Sequence, residues 1–263
     1  MATLEEGIEF TGSIGKLSAY RMKGSNKIIL RKKAGPSKKQ ILTARNFERT
    51  RENMAEFLGV GKAVSAIRYA LADVGHLSDY NFTSSLTSIC KKIQLLDPLG
   101  SRGERNILLS QHPYMLAGFR LHKKHPFQGI VTGPVNCTIK RKTKTAIIEL
   151  PRLLQGINLH LPWKQPMYRF TLSLGVVEDI IFEKGYYKGD VGGQAHSCLD
   201  TAWHVAAEPF QTQTVELKLD MQEAIKDSHT LLVAVGIEMG VPSPYGVIEE
   251  VKYAGSACIL AVG

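Results

Sequence analysis

Two rhythms of apolar and polar positions run along this chain. In "NFTSSLTSICKKIQLLDP" the residues Phe82, Leu86, Ile89, Ile93 and Leu96 recur at steps of four, three, four and three, with polar residues before them and Pro98 after. That spacing predicts an amphipathic helix with a defined stop. "AVSAIRYALAD" places Val64, Ile67 and Leu71 at helical spacing, and "NFERTRENMAEFL" puts Phe47, Met54, Phe57 and Leu58 on an expected common apolar face. From about Gly118 the period changes. "CTIKRKTKTAIIEL", "YRFTLSLGVV", "QTVELKLD", "HTLLVAVGIEM", "VIEEVKYAG" and "ACILAV" are short runs rich in Val, Ile, Leu and Thr, punctuated by Gly, Pro, Asn or Asp. They read as strands without intervening helices, which predicts an antiparallel sandwich or barrel. The clearest is "QTVELKLD", where Val215, Leu217 and Leu219 alternate with Glu216, Lys218 and Asp220.

The opening segment, "SAYRMKGSNKIILRKK", reads as a β-hairpin. With Gly24, Ser25 and Asn26 as a three-residue loop, Lys23 faces Lys27, Arg21 faces Ile29 and Tyr20 faces Leu30. That register gathers Tyr20, Met22, Ile28 and Leu30 on one side and Arg21, Lys23, Lys27, Arg31 and Lys33 on the other. The expected class is therefore α+β: an N-terminal basic β-hairpin and two or three helices, then an antiparallel β-sandwich or barrel. The expected domains are 1–117 and 118–263.

Composition adds a charge gradient. Residues 1–145 hold 25 Lys+Arg against 10 Asp+Glu, net +15, and residues 146–263 hold 8 against 14, net −6. Such asymmetry points to nucleic acid, an acidic surface, or head-to-tail contact between copies. No acid lies between Thr11 and Phe47, and "KKAGPSKKQ" adds Lys38 and Lys39 to the basic stretch. The N-terminus lacks the basic and apolar regions of a secretory leader, and no window is apolar enough for a membrane helix, so a cytoplasmic protein without membrane contact is expected. Cys90, Cys137, Cys198 and Cys258 are scattered singly and are expected to be reduced.

Candidate chemistry is sparse. A phosphate loop needs G-x-x-x-x-G-K-[ST]. "EFTGSIGKL" has Phe10 and Leu17, and "EFLGVGKAV" has Glu56 and Ala63, at its first-glycine and hydroxyl positions. His122 and His125 are close enough to share a metal, but Lys123 and Lys124 between them oppose a cation. His196, Cys198, Asp200 and His204 concentrate ligand and nucleophile types within nine residues, which makes a metal or thiol enzyme a third reading. Rings are scarce in the basic stretch: Tyr20 alone lies in the hairpin, which favours salt-sensitive attraction over stacking on bases.

"GSIGKLSAYRMKGSNKIILRKKAGPSKKQI" followed by "FERTRENMAEF", and later "LPWKQPMYRF", resembles a family of uncharacterised Bacteroidota proteins. The resemblance covers most of the chain and implies one shared architecture; it transfers no catalytic residue. The expected function is a non-enzymatic assembly or interaction protein, without cofactor or bound metal and forming a homo-oligomer. Its anion-docking residues are Arg21, Lys23, Lys27, Arg31, Lys32, Lys33, Lys38 and Lys39. The alternative is nonspecific binding of nucleic-acid phosphates by the same cations.

Overall fold

The computed structural model describes residues 2–4, 10–22, 27–33, 35–189 and 195–263, with side chains from residue 10 onward. By compactness the chain divides into two units, Met1–Arg51 and Glu52–Gly263.

The first unit holds a four-stranded antiparallel sheet. Its strands are β1 (Ala2–Leu4), β2 (Gly12–Ile14), β3 (Leu17–Arg21) and β4 (Ile28–Lys32), in the order β1-β4-β3-β2. The hairpin of β3 and β4 forms, but one residue out of the expected register: Tyr20 pairs with Ile29, Ala19 with Leu30 and Arg21 with Ile28. A one-residue slip sends every side chain of one strand to the other face. Arg21 thus joins Ile28, Leu30 and Lys32, while Arg31 joins Tyr20 and lies over its ring, 5.4 Å from the centroid. The cations are divided between the two faces rather than collected on one. The loop Gly24–Asn26 and Lys23 lie outside the described residues.

After the sheet comes α1 (Lys38–Thr43), opened by a reciprocal cap in which the Ser37 hydroxyl accepts from the Gln40 amide and the Gln40 side chain accepts from the Ser37 amide. Its far end is closed by Arg51, whose guanidinium donates to the carbonyls of Ile41 and Ala44, both at 2.8 Å. The "RTREN" segment thus has a structural task through Arg51.

The helices are α2 (Glu48–Ala70), α3 (Ala72–Gly75), α4 (Thr83–Leu95) and α5 (Phe127–Ile130). The later strands are β5 (Asn136–Lys140), β6 (Thr145–Leu150), β7 (Met167–Glu178), β8 (Ile181–Glu183), β9 (Tyr186–Lys188), β10 (His196–Asp200), β11 (His204–Val205), β12 (Gln213–Lys218), β13 (His229–Pro242) and β14 (Ile248–Val262). A five-stranded antiparallel sheet runs β10-β7-β13-β14, with β11 also on β7. A three-stranded sheet runs β12-β6-β5, and β8 pairs β9. Among the described residues no closed barrel forms. The three-stranded sheet packs on one face of the large sheet through Phe170, Leu172, Val233, Val235, Ile148 and Val215, and α2, α3 and α4 cover the other through Val177, Leu232, Ala234 and Ile259. The compact units part at Arg51, and the helices expected beside the hairpin have their apolar partners on the sheet.

The helix layer sits close because the sheet offers glycines. A Cβ on Gly175 would stand 2.6 Å from the Ala70 side chain, and one on Gly236 would stand 2.4 Å from Leu77. "VIEEVKYAG" and "ACILAV", expected as two strands, are one bulged strand, β14. Gly240 pairs with Glu250 and Glu238 with Gly255, so residues 251–254 arch out opposite Met239, with Tyr253 in the left-handed region at φ 63°. On the outer side of β14, Gly118 and Leu121 donate to the carbonyls of Ile259 and Ala257, and Ile259 donates to that of Phe119, each at 2.9 Å. Among the described residues no helix is long and apolar enough to cross a membrane.

Candidate functional site

Three surfaces carry exposed or clustered chemistry. The first is the basic stretch. Arg31, Lys32, Lys33, Lys38 and Lys39 are exposed, and their charged ends make no ion pair among the described residues; Arg31 lies only against Tyr20. Arg21 and Lys27 are exposed and each has a partner. Lys38 and Lys39 occupy the first turn of α1, where the helix dipole favours anions and two cations are mutually unfavourable without one. The second basic run differs in kind. Arg141 donates to the carbonyls of Lys226 and His229 at 2.9 Å, and Lys144 to that of Met221, so these cations hold a neighbouring loop.

The second surface is the first half of α2, where the expected apolar positions face outward, while Val64 and Ile67 further along are buried as expected. Met54, Phe57 and Leu58 are 51%, 63% and 69% exposed, while Glu56 between them is 2% exposed. The cause is a polar network beneath: Lys91 and Arg105 both reach the Glu56 carboxylate, and the Gly103 amide donates to it at 3.0 Å. Burial alone would raise this carboxyl, but those partners outweigh it and hold the group below its ordinary range. Gly59, Val60, Ala63, Val64, Ala66, Ile67 and Ala70 form the inward face instead. Outside, Phe57 and Leu58 border an apolar groove of about 570 Å³ with Gly61, Phe182 and Tyr186.

A polar row on the helix-facing side of the large sheet is the third surface. Cross-strand pairing sets Arg169 of β7 beside Glu238 of β13, and β13 in turn sets Glu250 of β14 one step further. The Arg169 guanidinium donates to Oε1 of both glutamates, stands 3.3 Å from Asp200 and lies 4.6 Å over the Trp203 ring. Thr171 donates its hydroxyl to Glu238 at 3.3 Å, and the other Glu238 oxygen meets Nε2 of His76, at the end of α3, at 3.2 Å. Glu238 is buried; desolvation would raise its carboxyl, but His76 and Arg169 hold it low. His76 in turn is held above its usual value, chiefly by the Glu238 hydrogen bond against the opposing effect of burial. A cavity of about 520 Å³ opens between His76, Leu77 and the bulge of β14. The sequence concealed this group because its members are spread from His76 to Glu250; the polar breaks Arg169 and Glu238 in apolar runs were the one local sign.

The cluster expected around residues 196–204 is divided. His196, Cys198 and Asp200 pair with Gly175, Ser173 and Thr171 and share the helix-facing side, whereas His204 pairs with Tyr168 and stacks on Phe210 in the opposite core. Desolvation, together with Asp73 and Asp200, pushes the Cys198 thiol up to about 12, which disfavours a nucleophilic thiolate at neutral pH. His122 and His125 lie 5.5 Å apart, but Nδ1 of His122 accepts from the His125 amide at 2.9 Å and is spent on the turn. Among protein-family models, curated proteins and solved structures, none matches this chain.

Proposed function

We propose that this chain is a non-enzymatic assembly protein that docks by its basic N-terminal unit onto the acidic half of another copy. One contrast carries the reading. Several cations elsewhere are committed, Arg51, Lys62, Arg141 and Lys144 to carbonyls and Lys91, Arg105 and Arg169 to carboxylates, while exposed ones without an ion pair among the described residues, such as Lys92, Lys164, Lys184 and Lys218, stand singly rather than in a run. Arg31, Lys32, Lys33, Lys38 and Lys39 stand exposed without an ion pair among the described residues. Residues 146–263, net −6, supply the opposite sign on the same chain, the condition for head-to-tail association. The outward Phe57 and Leu58 give a copy-to-copy contact an apolar component that charge alone lacks. Division of the cations over two sheet faces favours contact on both sides of the sheet over a single flat patch.

Sedimentation of the full chain across protein concentration and salt is the test. The expected result is self-association at about 50 mM salt that weakens at least tenfold by about 500 mM, and that weakens similarly when Lys32, Lys33, Lys38 and Lys39 are changed together to Ser. A monomer at every concentration and salt overturns the reading. Nucleic-acid binding has less support, because the ring of Tyr20 is already covered by Arg31; retention of DNA or RNA by a chain that stays monomeric would favour it instead.

A further inference from the structure

We infer that His76, Glu238 and Glu250 bind one divalent transition-metal ion of the zinc class. The inference stands on the polar row alone and does not depend on the assembly reading. Nε2 of His76 and Oε2 of Glu238 are 3.2 Å apart. Two bonds of about 2.1 Å meeting at about 100° put their ligand atoms about 3.2 Å apart, so this spacing suits two ligands of one ion. One ligand atom from each of the three residues lies within 4.8 Å of the others. Glu250 stands half exposed on the flank of the bulge, within reach of an ion at this position.

The surroundings match the support that metal ligands need. Arg169 donates to Oε1 of both carboxylates, which fixes their direction and leaves the second oxygen of each for a ligand bond. Trp203 beneath the guanidinium and the Thr171 hydroxyl on Glu238 hold that support in place. Charge agrees as well. With His76 neutral, Glu238, Glu250 and Asp200 against Arg169 leave two net negative charges, which a divalent ion cancels. The imidazole selects zinc over calcium and magnesium, which prefer oxygen alone. The cavity of about 520 Å³ under the bulge leaves room for water in the remaining coordination positions.

The test is a zinc titration of the chelator-stripped full chain in competition with a chromophoric chelator, with cobalt(II) absorption as a second readout. One ion per chain is expected, with affinity reduced at least tenfold in both His76→Ala and Glu250→Gln. The cobalt spectrum should be that of nitrogen and oxygen ligands. Glu238 keeps Arg169 and Thr171 as partners in both variants, so each stripped chain should still fold cooperatively, with His76→Ala melting below the wild type because it takes one partner from that buried carboxylate. No zinc uptake, uptake that both substitutions leave within twofold, or an intense thiolate-to-cobalt band from Cys198 would each overturn the site.

Discussion

Glu56 is a charged group where the helical pattern calls for an apolar one, and its surroundings decide what happens when it is changed. Removing it strands Lys91, Arg105 and the Gly103 amide around an empty space. Glu56→Ala should cost about 3–5 kcal/mol in urea unfolding, as loss of one partner from a buried ionic network does. Its carboxyl is held below the ordinary 4.5, so the folded state gains from ionisation. That gain is complete above pH 4.5 and is lost as pH falls through the lowered value. The stability gap between wild type and Glu56→Gln should therefore narrow on acidification below about pH 4.5, and a gap independent of pH would refute the assignment. Tyr253 is the opposite case, a ring 89% exposed on a left-handed residue. Tyr253→Gly should raise stability by about 0.5–1 kcal/mol, read from the melting temperature.

Strands and helices were readable in the sequence wherever one face alone is buried. In β12, Val215 and Leu217 are buried and Glu216 and Lys218 exposed, as alternation predicts, and Leu86 and Ile93 of α4 are buried with Phe82 just before it. β7 and β13 gave long apolar runs because both their faces are covered, so their period could not tell a sandwich layer from a sheet with helices behind it. The register of β3 and β4 was lost because it hangs on a turn length that an apolar pattern four residues long cannot fix. At the start of α2 the buried positions are the charged Glu56 and then Gly59, so Phe57 and Leu58 misled, whereas Val64 and Ile67 are buried as their spacing predicts and Ala70 lets the helix sit close to the sheet. The same closeness makes a prediction for β7. Gly175→Ala presses a methyl onto Ala70 and should cost about 1–3 kcal/mol in urea unfolding, with no change in the basic unit's behaviour.

Both apolar cores lie wholly beyond residue 52, so a chain starting at Glu52 should keep a single cooperative melt. It should also lose salt-sensitive self-association, and retention of that association in the shortened chain would place the docking charges elsewhere. The gradient of charge was open to view in the sequence, but its distribution in space was not, since it depends on the strand register. The polar row was hidden because three strands and α3 contribute to it from distant positions. The bulged strand β14 has one last effect. It forms a rim of the large sheet, and a bare rim invites a strand from a neighbouring molecule. Here residues 118–121 occupy the far half, while the arch at 251–254 and the acids Glu249 and Glu250 spoil the near half as a template. Copies of this protein are thus kept from zipping together along that rim into amyloid-like ribbons.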